Sequence, residues 1–159
     1  MPPQKTKVSV LDARKDLPGS VRKVLDENGV DRIIAGKPRE CYIKVNGIDF
    51  KPYTYTSLEV TGEVIDYCFE AGARKVFLME NSTQANFTRL VFEVAGFSRL
   101  AEERGARPLY LDEGREGVVT LPRMGYDVHV SRHVKHIIAT RDEVTYINVP
   151  RLKTHSMTV

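Results

Sequence analysis

The run NVPRLKTH, residues 148–155, brings Arg151, Lys153 and His155 within five residues of one another, directly after an apolar stretch. A guanidinium and an ammonium make charge-assisted hydrogen bonds to carboxylates and phosphates. An imidazole beside them can pass a proton near neutral pH. Two other apolar stretches end in polar groups. IKVNG (43–47) offers Lys44 and Asn46, and MENST (79–83) offers Glu80, Asn81, Ser82 and Thr83. Amides, hydroxyls and cations of this kind suit an anionic ligand.

Each group has an ordinary structural use as well. Lys44 can pair with a neighbouring carboxylate on an exposed strand face. Asn81 and Ser82 are good helix N-caps, and capping does not exclude ligand contact. His129, His133 and His136 in VHVSRHVKH have spacings that could gather a metal. However, His129 alternates with Val128 and Val130, which claim the inner face, and Arg132 and Lys135 beside the other two repel a cation. Solvated surface is the expectation there, with no metal. Neither G-x-G-x-x-G, G-x-x-x-x-G-K-[ST] nor G-x-S-x-G occurs, so dinucleotide, P-loop and serine-hydrolase readings lack support.

The elements that must position these groups alternate between strand and helix. Residues 7–12 (KVSVLD) alternate apolar with polar and predict a first strand ending at Asp12, Ala13 and Arg14. LPGSVRKVLDENG predicts a helix with Ser20 as N-cap and Gly29 as its stop. Residues 40–46 (ECYIKVN) read as a strand, and GIDFKPYTYT, which has no period, as a loop. TSLEVTGEVIDYCFEAG is the clearest helix, with Thr56 or Ser57 as cap, Glu59 in the first turn and Gly72 at the end. The continuous apolar run 74–80 predicts a central parallel strand covered on both faces. Two further helices close at Gly96 and Gly105, and RPLYLD, beginning next to a proline, predicts a strand near an edge. GVVTLP and YDVHV predict a hairpin apart from the main sheet, HVKHII a helical turn, and VTYINVP a final core strand.

This order implies an α/β layered domain, residues 1–159, with a largely parallel sheet flanked by helices and a small β-hairpin. In such sheets ligands bind beyond the carboxyl ends of the strands, where the polar groups above fall. At 159 residues the chain can bury a real core, and its net charge of +3 is too balanced for a nucleic-acid footprint. No apolar run approaches the roughly 20 residues needed to span a bilayer, and no signal-peptide core opens the chain, so the cytoplasm is expected. Cys41 and Cys68 read as small buried thiols, and two thiols cannot supply the four thiolates of an iron–sulfur cluster.

CYIKVNGIDF, YTSLEVTGEVIDYCFEAGARKVFLMENS and VTYINVPRLKTHSMTV together resemble the domain of unknown function 362 family, from about Val8 onward. NVPRLKTH is the most specific piece. Carried over position by position, the resemblance assigns Lys44, Asn46, Thr56, Glu80, Lys153, Thr154 and His155 to the family's motifs. Val45 replaces a usual proline and Arg151 a usual lysine. Family members continue past the histidine, and many carry a ferredoxin-like module. The resemblance therefore implies the N-terminal part of a longer architecture. It places no cofactor within this chain, with any iron–sulfur cluster on an absent segment or a partner.

The leading expectation is an enzyme, or part of one, acting on an anionic carboxylate or phosphate. His155 and Glu80 are its catalytic candidates, with Lys44, Asn46, Thr56, Asn81, Ser82, Arg151, Lys153 and Thr154 binding the ligand. The alternative is a non-catalytic scaffold or electron-transfer partner of an iron–sulfur protein. An open strand edge would favour a homo-oligomer or a complex with another chain.

Overall fold

The computed structural model describes residues 7–37, 39–82, 87–121 and 123–153. Among them, α1 (Leu17–Glu27) and α2 (Val30–Gly36) precede β1 (Glu40–Val45). Then come α3 (Leu58–Glu70), β2 (Val76–Glu80), α4 (Thr88–Ala95), α5 (Phe97–Glu103) and β3 (Arg107–Tyr110). The hairpin β4 (Glu116–Leu121) and β5 (Tyr126–Ser131), the helix α6 (Arg132–Ala139) and β6 (Val144–Val149) complete the order. The main sheet runs β3-β2-β1-β6 with every pairing parallel, while β4 and β5 pair antiparallel apart from it. This is the layered α/β arrangement expected, hairpin included.

The chain steps from β1 to β2 to β3 in one direction, then returns past its starting point to lay β6 on the other side of β1. The order therefore reverses between β1 and β6. Loops leaving the carboxyl ends of two such strands turn away from each other, which opens a crevice at their ends.

Both faces of the sheet are covered. On one, Cys41, Ile43, Val45, Val76 and Leu78 pack with Val64, Ile65 and Cys68 of α3 and with Phe92 and Phe97. Removing a side chain such as Ile43, fully buried, from water contributes about 1.5–3 kcal/mol. On the other face, Tyr42, Met79 and Val144 meet Phe77, Leu109 and Ile137, and the Tyr42 and Phe77 rings stack at 5.0 Å. α3 starts where its cap predicts, with the Ser57 side chain accepting from Val60 N and Glu59 in the first turn. The two cysteines are buried and free, their Sγ atoms 3.3 Å apart. The hydrogen bond with Cys41, and then burial, push the Cys68 thiol far above its ordinary range, so it stays protonated.

Three expectations need correction. Residues 7–12 form no strand, and Val8 and Val10 stand 78% and 86% exposed. Alternation alone cannot make a strand where no neighbour is available for pairing. Arg14 and Asp12 consequently form an exposed ion pair away from any strand end. α1 begins earlier than Ser20, because Asp16 caps it by accepting from Gly19 N at 2.9 Å and Pro18 fits the first turn. The stop at Gly29 holds, with φ +67, but α2 follows it at once. Finally, β6 lies at the sheet edge rather than in the core, with Tyr146 48% exposed. Among the described residues, no helix is long and apolar enough to cross a membrane.

Candidate functional site

Because the sheet is parallel, the carboxyl ends of β1, β2 and β6 share one rim. Lys44 lies level with Met79 on one side and Asn148 on the other. Glu80, the last residue of β2, is 2% exposed and has three donors. Gly47 N and Asn81 N each donate to it at 2.8 Å, and Lys44 Nζ sits 2.8 Å from Oε1. Lys44 thus pairs with a carboxylate, as one reading foresaw, though with the buried Glu80 rather than on an exposed strand face. Ser82 ties the same loops together, its hydroxyl donating to Gly47 O at 2.5 Å and its amide to Thr88 Oγ1 at 2.9 Å. The Glu80 carboxylate and the loops that hold it are internally satisfied.

Thr56 bridges the place where the strand order reverses. Its hydroxyl accepts from Asn46 N at 2.9 Å and donates to Val149 O at 2.7 Å, linking the ends of β1 and β6. Thr56 N in turn donates to Asn46 O. The Asn46 side-chain oxygen is shut off from solvent and has no partner among the described residues. A buried acceptor left unpaired is uncommon and costs free energy.

Beyond that bridge the rim is open. One cavity of about 260 Å³ is lined by Thr56, Ser57, Val60, Val149, Pro150, Arg151 and Leu152. A second, of about 390 Å³, shares Ser57 and Arg151 and adds Tyr53, Tyr55 and Glu59. The Arg151 guanidinium lies 5.8 Å from the centre of the Tyr53 ring and forms no ion pair among the described residues. Lys153 Nζ donates to Thr54 O at 2.9 Å, which pins the loop after β1 to the chain leaving β6. Asn81 faces a different cavity, of about 450 Å³, between the ends of β2 and β3 and the hairpin. Thr83, Thr154 and His155 lie outside the described residues.

The histidines are dispersed. His129 contacts Glu116 at 3.1 Å on the exposed hairpin, and His136 approaches Glu40 at 3.5 Å at the opposite rim. Burial first, then Arg132 and His136, lower the pKa of His133. Among the described residues, no three His, Cys, Asp or Glu side chains gather to hold a metal.

Sequence reasoning missed Tyr53 and Tyr55, which wall the open cavity. GIDFKPYTYT was set aside for lacking a period, yet it carries three aromatics, Phe50, Tyr53 and Tyr55, within six residues of a polar loop, which is a signal in itself. It also missed the network at Glu40, which accepts from Tyr42 OH at 2.7 Å and Lys75 Nζ at 3.3 Å.

No curated protein and no solved structure matches the chain. A family match covers residues 41–159, which spans β1, the whole rim and NVPRLKTH. The chain therefore belongs to the family described as domain of unknown function (DUF362).

Proposed function

We propose that this chain is an enzyme, or the part of one, that takes an anionic small molecule at the crevice between the ends of β1 and β6. One observation carries this reading: Arg151 stands without an ion-pair partner among the described residues in two adjoining cavities at that crevice. Among the described residues, Arg151 is the sole charged one lining the smaller cavity, where the anion would sit beside the hydroxylic turn Thr56–Ser57. Lys153 reinforces the positive field while it anchors Thr54. Lys44 and Glu80 neutralise each other and shape the floor, so their part is positioning. His155, two residues beyond Lys153, supplies proton-transfer capacity suited to neutral pH.

Titration calorimetry with inorganic phosphate and acetate tests the reading. A charge-assisted hydrogen bond to the anion contributes about 1.5–3 kcal/mol, so Arg151→Met should weaken binding by roughly 10- to 100-fold. High salt should weaken binding to the wild type more than to the variant. Equal affinity in both proteins rejects the reading.

A further inference from the structure

Resting on that anion site, we propose that its ligand is a planar-ring anion of the nucleoside-monophosphate class, with the ring stacked on Tyr53. The paired cavities divide the work in two. Among the described residues, the smaller has Arg151 as its one charged residue and otherwise offers hydroxyls and apolar walls, which suits the phosphate. The larger is walled by Pro52, Tyr53, Tyr55 and Leu58, with Glu59 as its acid. At about 390 Å³ it falls within the range of small-molecule sites, roughly 300–1,000 Å³.

Tyr53 is placed in an unusual way. It is the one non-glycine residue with positive φ among the described residues, at +69°, and it is 81% exposed. A bulky side chain avoids that backbone region unless something outside local preference favours it. Nothing apolar is gained by burying this ring, because the ring is not buried. Arg151 lies over one face of that ring, its guanidinium carbon 5.8 Å from the centre, so the ligand's ring would stack on the opposite face. Tyr55 meets Phe97 edge-on at 5.8 Å, so the second aromatic wall is anchored in the core. An exposed aromatic face beside an arginine with no ion pair among the described residues recognises a ring joined to a phosphate, as in single-strand nucleic-acid sites where bases stack on aromatic side chains. Glu59 supplies an acceptor for an N–H on that ring.

Calorimetry with adenosine monophosphate, ribose 5-phosphate and inorganic phosphate on the full chain separates the layers. The wild type should bind adenosine monophosphate at least tenfold tighter than ribose 5-phosphate. Tyr53→Ala should erase that preference, bringing the two affinities together, while Tyr53→Phe should keep it. Glu59→Gln should reduce the ratio of the two affinities. If ribose 5-phosphate and phosphate bind through Arg151 but adenosine monophosphate binds no tighter, or Tyr53→Ala keeps the preference, the ring inference is overturned and the anion site stands. If none of the three binds, the anion site itself is overturned, and the ring inference with it.

Discussion

The two ends of the parallel sheet are each built on a buried glutamate beside a lysine, and they handle it differently. At the carboxyl end, two main-chain amides and Lys44 hold Glu80. At the amino end, the described partners of Glu40 are all side chains: Tyr42, Lys75 and His136. Main-chain donors cannot rotate away without moving the loops that carry them, so Glu80 fixes the path of Gly47 and Asn81. Side-chain donors can turn to water, so Glu40 joins β1 to α6 with a looser grip. Both carboxylates are engaged within the fold. On the chain leaving β6, Arg151 and Lys153 form no ion pair among the described residues, and Lys153 is spent on the Thr54 carbonyl.

The sharpest test of that contrast is deletion of each acid. Glu80→Ala strips partners from two amides and leaves Lys44 alone at the rim, which should cost about 3–5 kcal/mol. Glu40→Ala strands donors of which Lys75 and His136 reach solvent, and should cost about 1–2 kcal/mol. Urea denaturation of both variants measures the difference. Equal losses would mean that main-chain and side-chain donors hold these carboxylates equally well.

Removing the lysines probes the same contrast from the other partner, with a smaller effect. Lys44→Met leaves a buried carboxylate with its two amides but no countercharge, at a cost of about 1–3 kcal/mol. The Lys75 side chain is 56% exposed, so Lys75→Met should cost roughly 0–1 kcal/mol. Thermal melts at neutral pH should rank Lys44→Met well below Lys75→Met. The reverse ranking would break the comparison.

What the sequence disclosed follows the same division between local and distant causes. α3 was legible because its cap at Ser57, its apolar stripe and its closing glycine all lie within one stretch of chain. β1 and β2 were legible from β-branched and continuous apolar runs. Residues 7–12 carry the same alternation, but strand formation needs a partner, and partnership is decided elsewhere in the chain. The edge position of β6 likewise follows from the order of four strands and from nothing in VTYINVP itself. The rim shows this most clearly. The strand-end rule pointed to Lys44, Asn46, Glu80 and Arg151, yet Glu80 is satisfied by Gly47, 33 residues away, which no local pattern announces. The φ of Tyr53 was equally hidden, because nothing in KPYTYT demands a left-handed tyrosine.

Acid provides the finest discrimination between the two ends. Burial by itself would raise the Glu40 carboxyl, but the hydrogen bond from Tyr42, the Lys75 ammonium and His136 together outweigh it and hold its pKa below the ordinary value. A carboxyl lowered in the folded state contributes stability that is fully present above the unfolded pKa, about 4.3 for glutamate, and is lost as pH falls through the folded value. Wild-type melting temperature should therefore decline as pH drops from about 5 towards 3, with Glu40 contributing part of the slope. Glu40→Gln keeps an oxygen for Tyr42 but has no proton to take up, so its decline over that window should be shallower. The unfolded chain of the variant also binds one proton fewer, and that difference is what the slope reads. Parallel curves for the two proteins would show that Glu40 contributes nothing to the acid sensitivity and that its three donors hold it no better folded than unfolded.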